Sequence, residues 1–324
     1  MTETEKVIII GAGPAGLTAA IYLARFNLSP LVLTGPAPGG QPMWSGIIDN
    51  YPGFPAGTTG PELMQLFFAQ AEKFAIPLVA ESVTKVEFAD GPFRIWTTNL
   101  SDDIPNYTAR SVIIATGSTA KKLGLPEEDK FIGRGLALCA ICDGAFYKNK
   151  TVAVVGSGNK ALEDALTLAA TASQVYLLVR SAAYKADAYL QAQVAKNPRI
   201  SPIFSQTVVA LKGDSRLEKI VLQNTDPALP AHQSELPVDG LFLAIGQLPV
   251  TELFVPTIQL NSTQQILTGL AVGPDNPYAS GTNVRGIFAA GDCVAGQPAQ
   301  IVSAAGGGCA AAIDAKNFLA SENN

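Results

Sequence analysis

The chain has 324 residues, a length at which two domains are expected rather than one ordinary core. Its net charge of −5 gives no electrostatic basis for binding nucleic acid. Charged residues make up 15% of the sequence, against about 25% in an average soluble protein. Such a chain must bury much of its surface, and a subunit interface is one place to do so.

The first residues show no signal peptide and no membrane segment. Residues 1–6 are polar, and the apolar run at 7–10 has the length of a strand, not the about 20 residues that span a bilayer. Four cysteines do not make a secreted disulfide scaffold. We therefore predict a cytoplasmic protein that does not bind membranes.

The first predicted elements are a strand at 6–10, the glycine turn GAGPAG at 11–16 and an apolar helix at 17–26. In a dinucleotide-binding unit, Gly11 forms the turn, Gly13 lets the backbone approach a pyrophosphate, and Gly16 lets the helix pack on the strand. Strand, turn and helix in this order predict a dinucleotide site. The alternative is a tight turn that binds nothing.

The next stretch contains a long loop. A strand at 31–34 ends in Thr34, where an acidic residue usually binds a ribose. The Gly- and Pro-rich loop at 36–51 is long enough to be functional, and we expect it to cover a ring system. Further on, the pattern predicts a helix at 61–75 and strands at 83–88, 93–97 and 107–114, the last ending in Ala115-Thr116-Gly117.

Two cysteines separated by two residues, Cys139 and Cys142, are followed directly by Asp143. A disulfide between them would close a very short loop, and in known dithiol sites this spacing lowers the pKa of one thiol to about 7. The pair is therefore predicted to be redox-active. The alternatives are two ordinary buried thiols or half of a zinc site.

A zinc site would need a second pair of ligands. The single histidine is His232, and Cys293 and Cys309 are isolated in the sequence. We therefore predict no metal site. Cys293 and Cys309 are interpreted as buried residues without a redox role.

The glycine turn then returns. A strand at 151–155 is followed by GSGNKA at 156–161 and a helix at 162–170. Two such units in one chain are far more specific than either alone. Later strands are predicted at 175–179, 241–245 and 286–290. The last segment, 299–319, is a helix of small residues with three glycines at 306–308, which predicts that something packs very close to its backbone.

These motifs, in this order, resemble those of the low-molecular-weight thioredoxin reductases over nearly the whole chain. The matching segments lie at 11–16, 39–41, 52–53, 115–117, 124–126, 133–135, 139–144, 156–161, 244–246 and 289–292. The resemblance implies an α/β fold of two doubly wound dinucleotide-binding domains, the second inserted into the first. Residues 1–117 and 246–324 would form the FAD-binding domain. Residues 118–245 would carry the cysteine pair and a second nucleotide site, with hinge strands near Gly117 and Gly246.

The resemblance also implies where FAD binds. Gln41 and Asn50 would lie beside the flavin, and Asp292 would bind the ribityl chain. The helix after Asp292 would aim its positive end at the isoalloxazine. The full implied set is Gly11, Gly13, Ala15, Gly16, Gly40, Gln41, Asn50, Thr116, Gly117, Gly291, Asp292, Gln300 and Ile301.

In the implied mechanism, reduced FAD passes two electrons to the Cys139–Cys142 disulfide. Cys142 would face the flavin, and Cys139 would attack the disulfide of a thioredoxin-like partner protein. Asp143 would act as the acid/base for the emerging thiols. The alternative for Asp143 is a carboxylate that caps a turn or helix. A homodimer is implied as well.

The implied second nucleotide site comprises Gly156, Gly158, Asn159, Lys160, Arg180, Ser181 and Lys185. NADPH-using members carry His-Arg-Arg-x-x-x-Arg after the second strand of this domain, and the bases bind the 2′-phosphate. Here Ser181 replaces one arginine and Lys185 another. Lys160 replaces a small hydroxyl residue, so that it either reaches a phosphate or fills the mouth of the site. Near the C-terminus, Ala299 replaces an arginine.

Three hypotheses follow. The first, which the replaced residues of the second nucleotide site favour, is an FAD-dependent reductase of a thioredoxin-like protein whose electron donor is not NADPH but ferredoxin or a second flavin, such as a second FAD. The second is a conventional NADPH-dependent thioredoxin reductase. The third is a flavin-binding redox sensor without turnover.

Overall fold

The computed structural model describes residues 5–44, 47–48, 50–89, 91–98, 104–138, 140–228 and 232–322, without the side chains of residues 44, 47, 141 and 142. The chain divides into two compact units, one of Met1–Thr119 with Leu248–Asn324 and one of Ala120–Gln247. The chain leaves the first unit after Thr119 and returns to it at Leu248, shortly after the predicted hinge positions Gly117 and Gly246. The assignment of FAD to the first unit stays a prediction.

The helices are α1 (Pro14–Arg25), α2 (Gly60–Lys73), α3 (Glu128–Phe131), α4 (Ala140–Asp143), α5 (Asn159–Ala169), α6 (Ala188–Lys196) and α7 (Ile301–Ser321). The strands are β1 (Glu5–Ile10), β2 (Leu31–Leu33), β3 (Ile47–Ile48), β4 (Thr58–Thr59), β5 (Leu78–Val79), β6 (Val83–Glu87), β7 (Phe93–Thr97), β8 (Tyr107–Ile114), β9 (Ser118–Ala120), β10 (Leu136–Ala137), β11 (Thr151–Val155), β12 (Gln174–Val179), β13 (Ile200–Phe204), β14 (Gln206–Lys212), β15 (Lys219–Asn224), β16 (Gln233–Pro237), β17 (Gly240–Leu243), β18 (Gln247–Pro249) and β19 (Ile287–Ala289).

The first unit is built on a sheet of order β5-β2-β1-β8-β7-β6, with β19 also paired to β8. Strands β5, β2, β1, β8 and β19 are parallel, and β7 and β6 continue the sheet antiparallel. Ile114 is in register with both Ile10 and Ala289. The segments that follow β1, β8 and β19 therefore leave the sheet side by side at one edge.

Strand β1 is apolar throughout its inner part because both of its faces are covered. Ile9 packs in a cluster with α1 and α7, whereas Ile8 and Ile10 pack on the opposite face with Phe88 and Phe254. Burial of a side chain of this size stabilises the fold by about 1.5–3 kcal/mol. A run buried on both faces is typical of a strand inside a parallel sheet.

The second unit has the parallel sheet β10-β17-β11-β12-β13 and a separate antiparallel sheet β14-β15-β16. Val155, at the end of β11, is in register with Leu178 and Leu243. The glycine turn after β11 therefore lies beside the carboxyl ends of β12 and β17. In parallel sheets this edge is where ligands bind.

The predicted α/β fold class, with two doubly wound units, is confirmed. Strands at 93–97, 107–114 and 151–155 have the predicted bounds. Helix α2 begins at Gly60 because Thr59 and Glu62 form a reciprocal capping box. The predicted loop at 36–51 instead includes a short 3-10 helix (Gln41–Trp44) and β3. Among the described residues, no helix combines the length and apolar character needed to cross a bilayer.

Candidate active site

The first glycine turn is shaped to leave room for a ligand. Gly11 has a φ of 112°, and a Cβ there would overlap the carbonyl oxygen of Ala115. A Cβ on Gly16 would overlap the carbonyl oxygen of Gly11. In contrast, no described atom lies within 4 Å of a Cβ built on Gly13. The backbone is therefore tightly packed at Gly11 and Gly16, the two ends of the turn, whereas space remains at Gly13 in its middle.

Helix α1 starts in this opening. Its N-cap is Gly13, which has no side chain to satisfy the first backbone N–H groups, and Pro14 occupies the first turn. Gly39 donates its N–H to the carbonyl of Ala12 at 3.0 Å. A Cβ on Gly40 would lie 3.2 Å from the Cα of Gly13. The predicted residues of the turn and of the 39–41 loop thus come together, and the free N–H groups fit a pyrophosphate.

A polar cluster forms between three segments of the first unit. Gln41 Nε2 donates to Ser118 Oγ at 2.7 Å and to Asp292 Oδ2 at 3.4 Å. Ser118 Oγ also lies 3.3 Å from Asp292 Oδ2, to which it donates. Burial raises the pKa of the Asp292 carboxyl, and the hydrogen bond from Ser118 partly offsets that effect. A carboxylate so placed can accept further hydrogen bonds, which fits the hydroxyls of a ribityl chain.

Ser118 was missed by the sequence analysis, which stopped at Gly117. The signal that could have found it is a hydroxyl residue directly after the β8 turn. Thr116 Oγ1 donates to the carbonyl of Val250 at 2.6 Å, and Gly117 accepts from the N–H of Val250 at 3.0 Å. Thr116 and Gly117, two of the predicted cofactor-binding residues, therefore both hydrogen-bond to Val250, the residue directly after β18.

Helix α7 presents its N-terminus in the same unit. Gln300 is its N-cap without a side-chain capping bond, and no acidic residue lies in its first turn. Asn50 Nδ2 donates to Gln300 Oε1 at 3.1 Å. The predicted residues Asn50, Gln300 and Ile301 are thus brought together at the positive end of a 21-residue helix.

The close packing predicted for the glycines of α7 is confirmed at Gly308, where a Cβ would overlap the carbonyl oxygen of Ala15 in α1. At Gly306 no described atom lies within 4 Å of a Cβ. Gly291, the other predicted glycine, follows β19 and lies against Ala15 as well, with a Cβ distance of 3.1 Å. Helix α7 therefore rests on the first turn of α1.

The cysteine motif lies in the second unit. Cys139 is outside the described residues, and Cys142 lies in α4 with its side chain outside the description. Asp143 ends α4, and burial raises the pKa of its carboxyl. It makes no side-chain cap to the following 3-10 helix (Gly144–Tyr147) among the described residues, which disfavours the capping alternative. A Cβ on Gly144 would lie 3.2 Å from Leu168, so the motif packs along α5.

The second glycine turn repeats the geometry of the first. A Cβ on Gly156 would overlap the carbonyl oxygen of Ala244, whereas no described atom lies within 4 Å of a Cβ on Gly158. Helix α5 starts at Asn159 with Gly158 as its N-cap. This open turn at a helix N-terminus fits the pyrophosphate of a second dinucleotide.

The loop after β12 folds back onto this turn. The N–H groups of Lys185 and Ala186 donate to the carbonyl of Ser157 at 2.7 and 3.0 Å. The side chains of Arg180, Ser181 and Lys185 are exposed there. Two cations therefore remain available for a 2′-phosphate, while the Ser181 hydroxyl donates to the carbonyl of Ala183 at 2.7 Å.

Two acidic residues at this turn were missed. Asp187 and Asn159 bond reciprocally, at 2.6 Å between side chains and 2.8 Å from the Asp187 N–H to Asn159 Oδ1. Asp164 pairs with Lys160, whose Nζ lies 2.6 Å from Asp164 Oδ1. The predicted alternatives for Lys160 did not include an internal partner. An acid four residues after a lysine on a helix is the signal that could have indicated it.

The remaining cysteines differ from each other. Cys293 is fully buried as predicted, and burial raises the pKa of its thiol to about 11. Cys309 on α7 is only partly buried, so the prediction that it is buried is wrong. Its side chain is close enough to Tyr22 to raise the pKa of that phenol by hydrogen bonding.

Comparisons with known proteins identify the family. The model of the pyridine nucleotide-disulphide oxidoreductases matches residues 5–308. A thioredoxin reductase of Eremothecium gossypii is 41% identical over 97% of this chain and 98% of its own. A glucosaminate ammonia-lyase of Pseudomonas fluorescens is also 41% identical, over 97% of this chain and 96% of its own. The crystal structure of Lactococcus lactis thioredoxin reductase superposes with a TM-score of 0.89 at 32% identity, covering 98% of this chain and 100% of that one. The chain therefore belongs to the thioredoxin reductase family of flavoprotein disulfide oxidoreductases.

Proposed function

We propose that this chain is an NADPH-dependent thioredoxin reductase. The observation that carries the proposal is the similarity to the Eremothecium gossypii thioredoxin reductase over 97% of the chain, in a sequence that itself contains the Cys139–Cys142 motif. The open second glycine turn and the two exposed cations beside it support a nicotinamide nucleotide as the donor. The comparisons favour this donor over the ferredoxin or second flavin that the replaced residues of the second nucleotide site suggested.

The residues of the first unit would hold FAD. The glycine turn before α1 would bind the pyrophosphate, Asp292 with Gln41 and Ser118 would bind the ribityl hydroxyls, and the N-terminus of α7 would stabilise negative charge on the ring. When bound, FAD supplies the two-electron link between NADPH and the cysteine pair.

The chain's own sulfurs complete the reaction. In the reduced pair, the Cys139 thiolate attacks the thioredoxin disulfide and forms a mixed disulfide. Cys142 then attacks Cys139, which releases reduced thioredoxin and restores the Cys139–Cys142 disulfide. Asp143 moves the proton between the thiols. The raised pKa of Asp143 suits this role because burial favours the protonated carboxyl, which is the form that donates a proton.

The test is stopped-flow reduction of the purified protein followed through its flavin absorbance. We expect one FAD per chain, rapid bleaching by micromolar NADPH and turnover with thioredoxin. Rapid bleaching by reduced ferredoxin but not by NADPH, or two flavins per chain, would support the other donors. Release of ammonia from glucosaminate would favour the activity of the Pseudomonas fluorescens relative. A homodimer and a cytoplasmic location stay predictions.

Replacing Arg180 and Lys185 together with serine should lower the preference for NADPH over NADH by at least about tenfold, because a charge-assisted contact to the 2′-phosphate is lost. The measurement is kcat/KM for both nucleotides. Lys212→Ser is the matched control, since Lys212 is an exposed lysine of the same unit already paired with Glu235. An equal loss for NADPH and NADH would exclude these side chains as the phosphate site.

A further inference from the structure

The second nucleotide site carries an ion pair that the proposed mechanism does not use. Lys160 Nζ lies 2.6 Å from Asp164 Oδ1, four residues further along α5. The Lys160 side chain is 45% exposed, whereas that of Asp164 is 3% exposed. Among the described residues, the Asp164 carboxylate accepts its hydrogen bond from Lys160 Nζ. One partner is thus at the surface and the other is inside the unit.

The ion pair with Asp164 holds the Lys160 ammonium in place. Burial raises the pKa of the Asp164 carboxyl, and Lys160 opposes that effect through its charge and hydrogen bond. A buried carboxylate deprived of its partner is strongly destabilising, because no water replaces the lost interaction. The ammonium therefore remains on Asp164 unless a comparable anion competes for it.

The position of Lys160 makes that competition relevant. It is the second residue of α5, and this helix begins directly after Gly158 in the open turn. Helix N-termini favour anions and disfavour cations, so a lysine here gains most when an anion is present. In the structure its side chain instead turns toward Asp164, one helical turn away from the glycine turn. The nearby acid Asp187 is engaged by Asn159 at 2.6 Å.

We propose that Asp164 withholds Lys160 from the phosphates of the nicotinamide nucleotide and thereby lowers the affinity of the second site. This inference rests on the proposed function, because it assumes that the site binds NADPH. Asp164 is a positioning residue that acts through Lys160. The positive charge of Lys160 is neutralised by Asp164, and the bound nucleotide meets mainly backbone N–H groups at this turn.

The test compares three FAD-loaded proteins: wild type, Asp164→Asn, and Lys160→Met/Asp164→Asn. The two variants both lack the buried carboxylate and differ only in the lysine charge. Each is titrated calorimetrically with NADP⁺ at low and high salt. We expect Asp164→Asn to bind about three- to tenfold tighter than wild type, as one charged contact to phosphate allows. The double variant should lose this gain. The affinity of Asp164→Asn should also fall most steeply with salt, because its extra contact is ionic.

Equal affinities of the single and double variants, or weaker binding by Asp164→Asn than by wild type, would overturn the inference while leaving the proposed function intact. Failure of all three proteins to bind NADP⁺ would overturn both. Flavin content and the midpoint of thermal unfolding check that each variant is folded. If the asparagine variants do not fold, Asp164→Leu with and without Lys160→Met provides the same comparison with an apolar residue in the buried position.

Discussion

Replacing Cys142 with serine is expected to abolish the reduction of thioredoxin, by about a thousandfold or more, while leaving FAD bound and reducible by NADPH. A single remaining sulfur cannot accept and store an electron pair as a dithiol, nor can it resolve a mixed disulfide. The measurement combines steady-state turnover with thioredoxin and stopped-flow reduction of the flavin. Turnover with thioredoxin should be lost, whereas reduction of the flavin by NADPH should remain.

Cys309→Ser is the matched control for this experiment. Cys309 is a partly buried thiol on α7, outside the unit that carries the redox motif. We expect its replacement to leave turnover within about twofold of wild type, because the cost of such a change at a half-buried site is small. Turnover retained in Cys142→Ser would mean that the flavin reduces the partner directly, and the relay through the cysteine pair would be wrong.

The second large effect concerns stability. Gly308→Ala should destabilise the protein by about 1–3 kcal/mol, although alanine is the better helix former by about 1 kcal/mol. The added methyl group would overlap the carbonyl oxygen of Ala15, so α7 must move away from α1. Because Ala15 belongs to the first glycine turn, we also expect FAD to dissociate more readily. Thermal unfolding and flavin release on dilution measure the two effects.

Gly306→Ala is the control in the same helix. No described atom lies within 4 Å of its added Cβ, and the residue is exposed. Here the helix propensity acts alone, and stability should rise by up to about 1 kcal/mol. If both alanines stabilised the protein equally, the close approach of α7 to α1 would be refuted.

The electron donor depends on several positions of the second nucleotide site. The replacement of one arginine by Ser181 and of another by Lys185, together with Lys160 in the glycine turn, suggested a donor other than NADPH. However, the loop after β12 returns to the carbonyl of Ser157, and Arg180 and Lys185 both remain exposed beside the turn. A phosphate site is assembled from several charges and backbone groups, so the replacement of some of its side chains does not determine its ligand.

Both glycine turns and the cysteine motif could be read from local sequence patterns, and the fold class followed from the resemblance that these motifs carry. These signals are local: a buried strand, a glycine with space for backbone and a helix must follow one another within about 20 residues. The strands at 93–97, 107–114 and 151–155 were likewise predictable, because apolar and β-branched runs bounded by turns favour strands over other secondary structure.

Which distant side chains meet depends on the tertiary fold. Ser118 contacts Asp292 across 174 positions, and Asn50 contacts Gln300 across 250. These pairs depend on the register of β8 with β19 and on the packing of α7, and neither is encoded in a local pattern. The burial of Asp164 and the partial exposure of Cys309 were decided in the same way. Burial of a side chain depends on what the rest of the chain places over it.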